Sequence, residues 1–145
     1  MINVKQCLDQ KPQVVISVRS DDMVVAALKL MRDNRVRAVL VIDDDRLVGI
    51  VSQGDCAIKV LLPGLDAAST CVRDVMTPDP VTVKPEDPLE ACMGLISKRG
   101  FRHLPVVKGD KIIGVVSIGD IVKENVRHMG QQIGFLETYI KGHGA

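Results

Sequence analysis

The chain has 145 residues, with 19 Lys+Arg against 18 Asp+Glu and a formal net charge of +1. That balance argues against a basic nucleic-acid groove, whose affinity comes largely from phosphate neutralisation. The only aromatics are Phe101, Phe135 and Tyr139, too few for a base-stacking platform. Apolar residues make up 46%, a composition that forms a core and does not stay disordered.

No apolar run approaches the roughly 20 residues of a membrane span. The N-terminal MINVKQCLDQ lacks the apolar stretch of a secretory signal. Cys7, Cys56, Cys71 and Cys92 form no CxxC pair and keep no ligand spacing to His103, His128 or His143. They read as buried thiols acting as small hydrophobes, with neither metal nor disulfide. A soluble, cytoplasmic and reduced protein is expected.

The string GIVSQGD at 49–55 returns as GVVSIGD at 114–120, an offset of 65. Held without a gap, that offset aligns 14–60 with 79–125, and 12 of the 47 pairs are identical. The chain is therefore two copies of one unit. The expected boundaries are a lead-in (1–13), repeat 1 (14–62), a linker (63–76), repeat 2 (77–129) and a helical tail (130–145).

In chain order, each unit reads strand, helix, strand, strand, helix. VVISV (14–18) and PVTV (80–83) are short β-branched runs. Helices follow from near Asp22 and Asp87, the latter as N-cap with Pro88 behind it. Their apolar faces are Val24, Ala27, Leu28, Met31 and Leu89, Cys92, Met93, Ile96, at helical spacing. Met31 and Met93 are thus read as packing residues. Gly100 suits a left-handed helix end, whereas Arg35 is expected to end its helix in another way. AVLVI/LVGIV (38–42, 47–51) and HLPVV/IIGVV (103–107, 112–116) predict hairpins, with helices from about 53 to 62 and 118 to 129. A short amphipathic helix is expected at 132–142, with Ile133, Leu136 and Ile140 on one side. The fold class is α/β (α+β), two β-α-β-β-α units sharing one body.

The pattern apolar-apolar-Gly-apolar-apolar-Ser-x-x-Asp, present twice, with RHLPVV before the second and VRDVMTPDPVTVKPED between the copies, resembles the CBS-domain family. Residues 12–127 look like a tandem CBS pair, or Bateman module. The resemblance implies pseudo-two-fold tandem repeats, a regulatory role, and adenosine ligands (AMP, ATP or NAD(H)) in clefts between the repeats. It also implies a second pair of repeats completing a disc.

The residues admit two readings of the repeated motif. Ser52 with Asp55, and Ser117 with Asp120, fit capping boxes that satisfy orphan helix N–H groups. The same arrangement presents helix donors and a hydroxyl to a phosphate, and a carboxylate to two ribose hydroxyls. Arg102 and His103 are placed to neutralise that phosphate, one a planar fork of donors and the other titratable. Pro105 and the backbone of Val81 and Thr82 are placed to hold an adenine beside Ser117 and Asp120. Repeat 1 offers Arg37 but has Ala38 in place of the histidine, so its site is expected to differ. Neither a P-loop nor a GxGxxG is present, and no histidine sits at a motif spacing from Ser52 or Ser117, so no enzymatic activity is expected. A homodimer meeting through helix faces, with Phe135, Leu136 and Ile140 adding contact, and an unidentified regulated protein are the expected partners. The alternative is a ligand-free dimerisation module with vestigial clefts.

Overall fold

The computed structural model describes residues 2–11 and 14–142, with side chains through 130. Its elements are α1 (Val4–Leu8), β1 (Ser17–Val18), α2 (Val24–Asn34), β2 (Ala38–Asp43), β3 (Arg46–Ser52), α3 (Gln53–Cys56), β4 (Thr77–Pro78), α4 (Leu89–Arg99), β5 (His103–Lys108), β6 (Lys111–Ser117) and α5 (Ile118–Gly142). A π-helical turn, Ala57–Leu61, extends α3. The unit is the mixed α/β pattern expected.

The hairpins repeat each other in detail. Antiparallel β2–β3 pairs Ala38 with Ser52, and β5–β6 pairs His103 with Ser117. Both carry an irregularity at the same place, Val41/Ile42 and Val106/Val107. The first hairpin turns through Asp44 and Asp45, both at positive φ (49° and 63°), the conformation that matches the twist of the flanking strands. β1 lies parallel to β2, shorter than the 14–18 run suggested. In repeat 2 the corresponding run is reduced to one parallel bridge, Val83 to Val106.

Four expectations are corrected. Asp87 is not the N-cap of α4; Pro88 is, and the Asp87 carboxylate accepts the backbone N–H of Lys84 at 2.8 Å. The physical reason lies in the lead-ins, whose carbonyls already take the first helix donors: Leu89 N–H donates to Ile2 O (3.0 Å) and Val24 N–H to Thr70 O (2.8 Å). Arg35 ends α2 as Gly100 ends α4, in the left-handed region, at φ 54° and 73°. A chain leaving both helices for equivalent strands needs the same turn, and Arg35 adopts it without glycine's freedom. Met93 is 46% exposed and faces α5, where Asn125 Nδ2 lies 3.5 Å from its sulfur. Met31 is buried as read. The tail is no separate helix either, since α5 runs unbroken to Gly142; the side chains of Phe135, Leu136 and Ile140 lie outside the described residues.

The packing has an exchange that the repeat pattern did not show. One buried cluster joins Val24, Ala27, Met31, Val39, Val41 and Val51 of repeat 1 to Val72 and Val75, the lead-in of repeat 2. The other joins Leu89, Cys92, Leu104, Val106, Val116 and Ile121 of repeat 2 to Val4, Cys7 and Leu8, the lead-in of repeat 1. The backbone contacts match: Val72 N–H donates to Asp22 O (2.8 Å), and Val4 N–H to Asp87 O (2.9 Å). β4 then adds to the edge of repeat 1's sheet beside β3. Gly49 permits that approach, because a Cβ there would lie 2.4 Å from the Met76 sulfur and 3.0 Å from Thr77 O. Cys7, Cys56 and Cys92 are buried within these clusters, and burial, with Glu124 and Asp120 nearby, pushes the Cys7 thiol up to about 11.

Candidate functional site at the junction of the repeats

Each hairpin ends in a serine that starts a helix. Ser52 Oγ accepts the Asp55 N–H at 3.1 Å while the Asp55 carboxylate accepts the Ser52 N–H at 3.0 Å, a complete capping box. Ser117 and Asp120 repeat it, at 3.1 and 2.8 Å. The next helix donors, Gln53 N–H and Ile118 N–H, go to Arg37 O and Arg102 O, each at 2.9 Å. Thus the residue before the strand, an arginine in both copies, has its backbone fastened to the helix start.

A cleft of about 550 Å³ opens there, and it draws on both repeats. Arg37, Ser52 and Asp55 come from repeat 1; Val81, Arg102 and His103 come from the linker side and repeat 2. The expected grouping of Arg102 and His103 with Ser117 and Asp120 is therefore revised, since both line the cleft headed by Ser52 and Asp55. His103 also pairs across the strands with Ser117 and feels Asp120, so it stands between the two helix starts. Pro105 is buried in β5 with its carbonyl taken by Val83 N–H at 2.9 Å. Thr82 turns away from Val81, as alternation along an extended run requires, into a separate cavity of about 480 Å³ beside Asp79 and the hairpin-turn residues Asp45 and Asp110.

The cleft also uses residues that the sequence reading passed over. Ile50, Ile58 and Phe101 add apolar surface, and Lys59 lies 3.3 Å from Asp55 Oδ1. The i,i+4 spacing of Asp55 and Lys59 was a usable signal; the approach of Phe101, from the other repeat, left none.

The electrostatics are one-sided. Burial holds the His103 imidazole below its ordinary value; Asp120 pulls it up, and Lys11, Arg102 and Arg37 push it down again. His103 is thus neutral at pH 7 in a mouth already bearing two guanidinium groups. Because its folded pKa lies below the unfolded value near 6.5, the unfolded chain binds more protons below that pH, and stability falls on acidification through it. The melting temperature is expected to drop between pH 7.5 and 5.5 by more in the wild type than in His103→Gln. Equal drops would remove His103 from the account.

Known proteins place this architecture. The CBS domain family matches residues 12–61 and 72–127, and the chain belongs to that family as a tandem pair. The mitochondrial CBS domain-containing protein CBSX3 of Arabidopsis thaliana is 35% identical over 128 residues, 85% of this chain. The chain spans 62% of that relative's length, less than two thirds. A solved CBS-domain protein from Burkholderia ambifaria superposes with a TM-score of 0.84 at 38% identity, over 87% of this chain and 95% of that one. The structure of CBSX2 in complex with AMP has a TM-score of 0.71 at 27% identity, over 88% and 98% of the two chains. Among the described residues, no helix is long and apolar enough to cross a membrane.

Proposed function

We propose that the chain is a non-enzymatic regulatory module that binds an adenosine nucleotide (AMP, ATP or NAD(H)-like) between its repeats and signals occupancy to another protein, in the cytoplasm. The observation that carries this reading is the convergence of Arg37, Arg102 and His103 on a helix start bearing Ser52 and Asp55. The cations suit a phosphate, the carboxylate suits vicinal ribose hydroxyls, and Ile50, Ile58, Val81 and Phe101 suit a base. The AMP held by CBSX2 supports the ligand class.

A thermal-shift panel on desalted protein tests it, with AMP, ATP and NAD and with adenosine as the uncharged control. A ligand at 100 times its Kd stabilises by about 2.7 kcal/mol, which raises the melting temperature of a chain this size by roughly 5–10 °C. The phosphate-bearing ligands should give that rise and adenosine much less. No rise with any of them at millimolar concentration would overturn the reading in favour of vestigial clefts.

A second reading, that the module also dimerises, rests on exposed apolar side chains along both closing helices. Ile58, Leu61 and Leu62 stand out from repeat 1, and Ile118, Val122 and Val126 from α5, with Leu61 78% exposed. Two such stripes match a second copy, since symmetric closure buries both. Light scattering at micromolar concentration should give about twice the 15.8 kDa chain mass; a monomer would overturn dimerisation.

A further inference from the structure

The two helix starts are equivalent in sequence, yet their carboxylates have different company. Asp55 keeps a lysine of its own helix, and the cleft before it is open. Asp120 is met from 109 positions away: Lys11 Nζ lies 2.7 Å from its Oδ2 and also donates to Val115 O at 2.6 Å. The same Oδ2 accepts the Ser117 N–H. Burial pushes the Asp120 carboxyl up, but Lys11 and Ser117 outweigh it and hold the group below the ordinary carboxylate value.

The segment that delivers Lys11 is where the repeats differ in length. Val4 and Val72 make the same contact with the opposite repeat, yet Val18 follows Val4 by fourteen positions and Val83 follows Val72 by only eleven. Two of the three extra residues lengthen α1, which has five residues against three in the turn Val72–Asp74, and Lys11 follows just beyond it. Its anchor is firm, because Val4, Cys7 and Leu8 just before it are buried in repeat 2's cluster. The lysine is thus a fixed cation placed on the carboxylate that, by the repeat equivalence, would accept ribose.

We infer that Lys11 is an internal plug of the second nucleotide position: it occupies Asp120, and a nucleotide binding there must displace it. The inference rests on the nucleotide reading above. It makes the two positions unequal by construction, the Asp55 cleft open and the Asp120 position latched. It also links occupancy at Asp120 to the lead-in, since a displaced Lys11 frees the segment next to α1.

The test is calorimetric titration of AMP into the full chain, with Asp55→Asn reducing the open cleft's contribution so that the second position is read. Lys11→Met keeps the side-chain length and removes the charge; Lys11→Arg keeps the charge. In the Asp55→Asn background, Lys11→Met should tighten AMP binding about three- to tenfold, a gain held below that of a buried charged pair because both partners are partly exposed. Lys11→Arg should leave binding close to that of the Asp55→Asn parent. Unchanged or weaker binding in Lys11→Met, with AMP still bound by the wild type, overturns the plug alone. Absence of AMP binding in the wild type and every variant overturns the nucleotide reading and the plug with it. Melting temperatures recorded alongside exclude unfolding as the source of a weakened titration.

Discussion

Deleting residues 1–10 is expected to unfold the second repeat, not the first, to which those residues belong in the chain. Val4, Cys7 and Leu8 are buried in repeat 2's cluster, and Val4 and Lys5 donate to Asp87 O and Pro85 O, each at 2.9 Å. Burying a valine or leucine contributes about 1.5–3 kcal/mol, and each net hydrogen bond about 1 kcal/mol. Their combined loss, on the order of 5–8 kcal/mol, is comparable with the whole stability of a domain this size. Amide exchange reads the outcome by residue: protection at Leu104, Val106 and Val116 should collapse. The reciprocal variant, Val72→Asp, places an unpaired carboxylate in repeat 1's cluster, where Val72 is fully buried, and should strip protection from Val39, Val41 and Val51. Damage confined to the repeat that carries the mutation would refute the exchange.

That exchange marks how far the sequence could be read. The 65-residue offset reveals two units, both hairpins and both capping boxes, because strand alternation and helix capping are local rules acting on neighbouring residues. Where a contact came from far along the chain, local rules failed. Asp87 has every feature of an N-cap, yet the Ile2 carbonyl reaches Leu89 first. VRDV at 72–75 reads as linker, yet Val72 and Val75 complete the core of repeat 1, where Val24 lies 48 positions before Val72. Arg35 lacks the glycine that marks a left-handed helix end, but the tertiary path imposes it all the same.

The candidate site divides along the same line. Ser52, Asp55, Ser117 and Asp120 were legible from the motif, and Arg37 and Arg102 from their place before a strand. Which arginine faces which helix start was not, since that depends on how two repeats sit across a pseudo-two-fold axis. His103 shows the ambiguity well: its strand neighbour is Ser117, while its side chain lines the cleft of Ser52. Lys11 had no signal at all, being a lone cation in a polar stretch whose partner lies 109 positions on.

Asp55→Asn is expected to weaken adenosine-nucleotide binding about 10- to 100-fold, as the loss of charge-assisted hydrogen bonds worth roughly 1.5–3 kcal/mol implies. The carboxylate already accepts the Ser52 N–H and faces Lys59, so the variant has two effects that must be separated. As a cap, asparagine keeps one acceptor oxygen and costs about 1 kcal/mol or less, seen as a small fall in melting temperature without ligand. As a ribose acceptor it fails more severely, because the amide presents one oxygen and one misplaced donor to two vicinal hydroxyls. Calorimetry reads the second effect and melting without ligand reads the first. Asp120→Asn, run in parallel, makes the same substitution at the position met by Lys11, at 2.7 Å. Its loss of affinity at that position should be smaller by the about three- to tenfold cost of displacing Lys11, and the melting fall larger, because the Lys11 pair goes with the cap. Wild-type affinity in both variants, with only the melting temperatures lowered, would leave the two aspartates as helix caps and move ribose recognition elsewhere in the cleft.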